Sequence, residues 1–312
     1  MNIGLLLYPD CIPAGLFAFA DLLTACNLRL GKRQFRITWL SEPGGALPVA
    51  NGQTLDTLAL AANPPDALLI PGAWRDRHQV IQASDQALVN TLQRLPDNTQ
   101  LWSYCTGVCL LASSGRLDQH NATTTWWLKD TVSQAFPQVH WSLQHSCLFD
   151  EHLATASGVN GYLPIALKLI SRHCGAALAE EIRRYMVLPR PNEQNNPFQQ
   201  LPLLLQQSEL LRRIIQWVEQ TPAQQVQTSA LADHLHLTPA TLARRVKQES
   251  TMTCAQLLRL IKLNQVSDQL QTSNRSISEI SHMLGFVDDS SLRRSFRQLT
   301  GLTPGEYRRQ FS

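Results

Sequence analysis

Residues 189–207 read PRPNEQNNPFQQLPLLLQQ, and this stretch limits the chain to folds built in two separate parts. Pro189, Pro191, Pro197 and Pro202 each disfavour helix at the residue before them, and the Asn and Gln between them bring little apolar surface to bury. A chain of 312 residues also exceeds one ordinary core. The expected organisation is a domain over 1–188, a linker over 189–207 and a second domain over 208–312. The two sides differ in charge. Residues 1–190 carry 14 Lys/Arg and 14 Asp/Glu, whereas residues 191–312 carry 13 and 10. A basic module beside a neutral one points to nucleic acid at one end and another partner at the other.

Before the linker, short apolar runs alternate with longer helical patterns. Strands are expected at Asn2–Leu7, Phe35–Leu40, Ala67–Ile70, Gln100–Tyr104 and Leu153–Ala156. Helices are expected at Ala14–Leu28, Asp76–Leu95, Gly107–Ser114, Trp127–Phe136 and Tyr162–His173. Such alternation implies an α/β parallel sheet covered on both faces. The opening MNIGLLLYPD has no basic segment before its apolar run, and the run is too short to span a bilayer, so a cytoplasmic protein without membrane contact is expected. Seven cysteines at irregular spacing, without a C-x-x-C pair, argue against a disulfide framework or a zinc site. Neither a metal nor a cofactor is expected.

After the linker everything reads as helix, and two units share one plan. In the first, Leu231 and Leu235 mark a short helix and His236–Leu237–Thr238 a turn. Thr238 is an N-cap and Pro239 stands at the first helical position. The helix Pro239–Glu249 buries Leu242 and Val246 and turns Ala243, Arg244 and Lys247 away. In the second, Ser276-Ile277-Ser278-Glu279 is a capping box, Ile280 and Met283 form an apolar stripe, and Gly285 ends the helix. Asp288 or Asp289 opens the next helix, with Leu292, Phe296 and Leu299 inside and Arg293, Arg294 and Arg297 outside. Each is a short helix, a turn and a basic helix, the form of a helix-turn-helix. One helix over Thr253–Leu270 would join them. Its length of roughly 27 Å suits recognition helices placed about one DNA turn, roughly 34 Å, apart.

The strings LADHLHLTPATLARRVKQES and SISEISHMLGFVDDSSLRRSFRQLTGLTPGEYRR make the segment from Leu231 to Arg308 resemble the AraC/XylS DNA-binding domain. The resemblance implies double-stranded promoter DNA as partner. It places base contacts on Ala240, Ala243 and Arg244 in the first unit, and on Asp289, Ser290, Ser291 and Arg294 in the second. Arg244 and Arg294 are the side chains suited to bidentate guanine contact, while the two alanines offer only apolar contact. Lys247, Arg293 and Arg297 are further candidates for DNA contact.

In the first domain, Gln100–Gly115 (QLWSYCTGVCLLASSG) runs from a strand through Cys105-Thr106-Gly107 into a helix. A thiol at a helix start can have its pKa lowered, and ligands of open parallel sheets bind beyond the C-terminal strand ends. Pro71-Gly72 follows another such strand. Together with Ile3–Pro9 and Leu110–Trp126, these pieces resemble the DJ-1/PfpI domain of the class I glutamine amidotransferase-like superfamily. The order of DJ-1/PfpI domain, linker and AraC domain resembles the GlxA-type regulators. The fold class implied is an α/β flavodoxin-like parallel-sheet domain followed by an all-α domain with two helix-turn-helix units.

The resemblance breaks where catalysis would need it. Thr106 follows the cysteine where PfpI-like peptidases have histidine, Thr125 stands where many GlxA-type regulators have histidine, and Gly15 falls near the acidic position of DJ-1-like proteins. Without a base and an orienting group Cys105 is a poor nucleophile, so no enzyme activity is expected. His78, His120, His140, His145, His152 and His173 remain, each more simply read as surface or structural. The expected pocket comprises Gly15, Gly72, Ala73, Trp74, Cys105, Thr106, Thr125 and Trp126, for a small-molecule effector such as an amino acid or a betaine-like compound. Trp74, Trp126 and Trp127 suit either an aromatic cage or packing in a core or homodimer interface. Cys109 is expected to face the core. The expected function is a homodimeric, effector-responsive DNA-binding transcription regulator. A DJ-1/PfpI-type hydrolase or amidase fused to a DNA-binding domain, and a redox sensor acting through Cys105, are the alternatives.

Overall fold

The structure, a computed structural model, describes the chain apart from residues 76–79, 192–194, 196–197, 199–200, 202–207, 251 and 312, and the side chains at 84 and 310. It forms two units, Met1–Asn195 and Asn196–Ser312. The division falls inside the stretch expected as a linker, which is not a bare spacer. The Asn195 side-chain amide donates to the carbonyls of Leu143 and His145 at 2.9 and 3.1 Å in the first unit. Phe198 and Leu201 are buried in the core of the second. Their apolar surface gives them somewhere to go despite the polar neighbours.

The first unit carries an eight-stranded sheet. Its strands are Asn2–Leu6 (β1), Arg36–Ser41 (β2), Gly45–Pro48 (β3), Thr54–Ala59 (β4), Ala67–Ile70 (β5), Gln100–Tyr104 (β6), Cys147–Asp150 (β9) and Leu153–Ala156 (β10). The order is β3-β4-β2-β1-β5-β6-β10-β9, and the two outermost strands, β3 and β9, pair antiparallel while the rest run parallel. Asn121–Ala122 (β7) and His140–Trp141 (β8) form a separate small pair. The helices are Ala14–Leu30 (α1), Gln86–Gln93 (α2), Gly107–Ser113 (α3), Lys129–Ala135 (α4), Tyr162–Cys174 (α5) and Ala176–Tyr185 (α6). Strands β5 and β10 are buried at every residue, as strands covered on both faces must be. The chain runs outward from β1 to β2 and β4, then returns to the other side of β1 at β5. The loops after β1, β5 and β6 therefore meet at a topological switch point, where ligands of such sheets bind.

Some expectations shift. The helix expected over Asp76–Leu95 is shorter, a 3-10 turn at Ala83–Asp85 leading into α2; its first residues lie outside the described ones. The helix expected at Trp127–Phe136 opens as a 3-10 turn, Trp126–Leu128. Cys109 is fully buried in a small satellite core with Val80, Leu128 and Val132. Trp127, weighed above for a cage or for packing, packs against that core from a partly buried position, as does Trp141.

The second unit is helical: Glu209–Gln220 (α7), Thr228–His234 (α8), Pro239–Ser250 (α9), Cys254–Thr272 (α10), Ile277–Met283 (α11), Asp289–Thr300 (α12) and Pro304–Phe311 (α13). Leu257, Leu258, Leu260, Ile261 and Leu263 of α10 are all buried. Helical geometry spreads these positions over most of the circumference, leaving the arc of Ala255 and Arg259 exposed, so α10 is the central helix of the unit. Phe198, Phe296 and Tyr307 form an aromatic cluster beside it, with ring centroids 5.1–6.2 Å apart. Met283, expected inside, is 43% exposed, while Ile280 is buried and Ile277 and Leu284 pack against the same core. No helix among the described residues is long and apolar enough to cross a membrane.

Candidate functional site

Helices α9 and α12 are built alike. Leu242, Val246 and Ser250 are buried in α9, and Leu292, Phe296 and Thr300 occupy the same places in α12. The last hydroxyl of each turns back onto its own helix: Ser250 Oγ to Val246 O at 2.7 Å and Thr300 Oγ1 to Phe296 O at 2.8 Å. Thr238 Oγ1 accepts from Thr241 N at 3.2 Å, and Asp288 Oδ1 from Ser291 N at 2.6 Å, so both N-caps are in place. The preceding turns match as well. His236 and Gly285 both take positive φ, at 55° and 71°, and Leu237 N and Phe286 N return to Ala232 O and Ser281 O. The second turn holds one more residue than the first, Val287, which is 73% exposed.

The residues expected at DNA lie on the outer faces of these helices. Ala240, Ala243, Arg244 and Lys247 are exposed on α9. Ser290, Arg293, Arg294 and Arg297 are exposed on α12, with Asp289 and Ser291 half-buried beside them. Arg244 donates to the neutral Gln248, at 3.5 Å, whereas its neighbour Arg245 is tied to Glu249. The segment before α8 is joined to the second turn: Ala223 N donates to Leu284 O at 2.8 Å and Gln224 N to Gly285 O at 3.0 Å. A Cβ on Gly285 would come within 2.6 Å of Pro222 Cβ, so this close approach requires glycine, which also takes the positive φ without strain.

At the sheet edge of the first unit, Cys105 stands at φ 57°, in the left-handed region that a non-glycine residue adopts only under local constraint. Its neighbours supply that constraint. Cys105 N donates to Ala156 O at 2.9 Å, and Thr124 Oγ1 donates to Cys105 O at 2.7 Å. Thr106 Oγ1 accepts from Ala73 N at 2.8 Å and donates to Ala73 O at 3.1 Å, clamping the β5 loop to the β6 loop. Gly72 lies so close that an added Cβ would be 2.8 Å from Cys105 Cβ. Of the eight residues expected to line a pocket, Gly72, Ala73, Cys105 and Thr106 are brought together, but they are buried against one another. Gly15 faces Tyr104: a Cβ there would sit 2.5 Å from the Tyr104 hydroxyl, which fills the space. Thr125 is buried, Trp126 half-buried, and Trp74 is 74% exposed.

Sequence reasoning missed Tyr8, Arg75, Asp85 and Thr124. Tyr8 Oη donates to Pro71 O at 2.6 Å, and the Arg75 guanidinium pairs with Asp85 at 2.5 and 2.9 Å with both side chains buried. Tyr8 and Thr124 carried a signal only as members of the matching pieces Ile3–Pro9 and Leu110–Trp126. A cavity of about 200 Å³ opens nearby, past the ends of β1 and β2, lined by Leu7, Tyr8, Pro9, Glu42, Pro43, Leu47, Asp85, Ala87 and Leu88. None of the eight expected residues lines it.

The profile of a helix-turn-helix domain family matches residues 231–310. The chain is 27% identical over 279 residues to the HTH-type transcriptional regulator ArgR of Pseudomonas aeruginosa, covering 84% of each. It is 22% identical to the HTH-type transcriptional regulator GlxA of Rhizobium meliloti, covering 99% of this chain and 96% of that one. Along its length the chain is similar to GlxA-like AraC-family regulators. DNA-binding regulation of transcription is its function. Its first unit shares its fold with an AraC family regulator from Pseudomonas putida (TM-score 0.52, 23% identity, 59% of this chain and 98% of that one). The same holds for Drosophila melanogaster DJ-1beta (TM-score 0.50, 15% identity, 61% and 98%).

The regulator's Cys105 does not behave as the helix start suggested. Burial raises its thiol pKa, and hydrogen bonds from Thr106 only offset that in part. Neighbouring Cys11 is pushed up to about 11 by the same cause. The Tyr104 hydroxyl is buried without a hydrogen-bond partner among the described residues, and burial likewise raises its pKa. His120 pairs with Asp150 at 3.2 Å and His173 meets the Phe35 ring edge-on; no hydrogen bond at Cys105 among the described residues comes from a histidine. His78 lies outside the described residues. A raised thiol pKa keeps the neutral form at neutral pH. The rate of Cys105 alkylation by iodoacetamide, followed by peptide mass spectrometry, is therefore expected to keep climbing with pH beyond the point where an unburied thiol levels off. A rate already level at neutral pH would contradict this.

Proposed function

We propose that the regulator reads promoter DNA with α9 and α12 in successive major grooves, and that its first unit binds a small nitrogenous effector. The matched outer faces of the two helices carry this reading. Arg244 and Arg294 read guanine, Ala240 and Ala243 touch thymine methyl groups, and Asp289, Ser290 and Ser291 complete the second contact region. Lys247, Arg293 and Arg297 bind flanking phosphates. The test is a footprint on a duplex selected from a random pool by the wild-type protein. Two protected regions about one turn apart are expected, and Arg294→Ala should relax one base position at a cost of about 1–3 kcal/mol. One protected region, or unaltered preference in the variant, would overturn it.

The effector site proposed is the cavity beside Tyr8, with Glu42 as the anionic partner of a cationic nitrogen. This accords with an amino acid or a betaine-like compound. Among the described residues no histidine hydrogen-bonds the packed Cys105 turn, and this supports binding of the effector without turnover. The protein acts in the cytoplasm as a homodimer held by its first unit. Residues 1–195 are expected to elute as a dimer in light scattering and to gain thermal stability with one amino acid or quaternary amine, a gain lost in Glu42→Gln. A monomer, or an equal gain in the variant, would contradict these assignments.

A further inference from the structure

Between the two helix-turn-helix units lies a cleft of about 420 Å³ that shares only Ser291 with the base-reading faces. Its floor is α10, through Ala255, Leu258, Arg259, Lys262 and Leu263. One wall is the Ala223–Thr228 segment ahead of α8, and the other runs from Phe286 along α12 to Ser291 and Ser295. No carboxylate lines it. The polar side chains that do are Arg259, Lys262, Gln224, Gln227, Thr228, Ser291 and Ser295.

The two cations are not neutralised. Lys262 is only 5% exposed, yet its ammonium donates to a neutral amide, Gln265 Oε1, at 2.5 Å. No ion pair among the described residues involves it, and Glu219 acts on it only from beyond ion-pair distance. Burial accordingly lowers its pKa to about 8. Arg259 is exposed and donates to another neutral amide, Gln298 Oε1, at 3.0 Å. A buried lysine ordinarily has a carboxylate or is lost in favour of an apolar residue, because desolvating its charge is costly. Here the missing anion has a source. If α9 and α12 occupy successive major grooves, the sugar-phosphate backbone between those grooves must pass over the helix that joins them, and that helix is α10.

We propose that this cleft seats a DNA backbone phosphate, held by Arg259 and Lys262 and approached by the hydroxyls and amides of Thr228, Gln227 and Ser295. The inference rests on the DNA reading above and adds to it a sequence-independent anchor midway between the two readers. Such a contact fixes register and orientation and carries no base preference of its own. Because it lies between the units, it also favours duplexes whose central backbone follows the path from one recognition helix to the other.

The experiment measures affinity against salt for the full-length protein on its selected duplex and on a scrambled one. Arg259→Gln and Lys262→Met should each weaken binding to both duplexes by a similar factor. Arg259→Gln, being at an exposed position, keeps the fold intact. Each loss should shrink the slope of log K against log salt by about 1, while Lys262→Arg should keep it. A methylphosphonate placed between the two contact regions should weaken the wild type and leave Arg259→Gln little affected. A wild type that binds the selected duplex, with salt slopes unchanged in both variants, would overturn the phosphate seat alone. A wild type that prefers no duplex would overturn the seat together with the DNA reading.

Discussion

Helix α10 is buried over most of its circumference, with Ala255 and Arg259 left exposed, and the DNA-binding unit depends on that burial. A helix apolar on one face could carry one helix-turn-helix; Leu257, Leu258, Leu260, Ile261 and Leu263 give α10 a surface to pack both. Its 19 residues span about 28 Å at the usual helical rise. A second tie runs outside the core, from Ala223 and Gln224 to the carbonyls of Leu284 and Gly285. Packing on one side and hydrogen bonding on the other leave the two readers little freedom to swing independently. A single chain can thus hold the spacing that a repressor dimer of single helix-turn-helix units gets from its twofold axis.

In the first unit the same kind of over-determination closes a site instead of presenting one. The left-handed turn at Cys105, of a kind that costs about 1–3 kcal/mol, is held by Thr124, by Ala156 and by the Thr106–Ala73 clamp. Gly107 packs against the Pro71 carbonyl, and Gly72 against Cys105, leaving no room for a side chain at either. Tyr104 then takes the volume opposite Gly15. The turn keeps the backbone of a nucleophile elbow, while its surroundings keep the thiol neutral. The open volume lies past the ends of β1 and β2, where Glu42 and Tyr8 line it.

The central strands were legible because full burial makes them continuous apolar runs such as ALLI and LATA. The edge strands β3 and β9, and β4 beside β3, were not. They alternate weakly and are partly exposed, and TLDTLA resembles a loop as much as a strand. Helix α6, AALAEEIRRY, is amphipathic, but it follows α5 across a single glycine and had no signal of its own. The helix-turn-helix pair was readable almost residue by residue, since caps, apolar spacing and turn glycine all act locally. What escaped was long-range: the pairing of Arg75 with Asp85, the burial of Phe198 among Gln and Asn, and the tie between Pro222–Gln224 and Gly285. No local pattern encodes any of these.

The central claim is that one chain holds its two readers at a fixed separation. It is tested most directly by inserting half a helical turn, about five base pairs, between the two contact regions of the selected duplex. Binding to this duplex, measured by fluorescence anisotropy, should fall to that of a duplex bearing either region alone. Affinity undiminished by the insertion would mean that the units move independently, and would contradict the account.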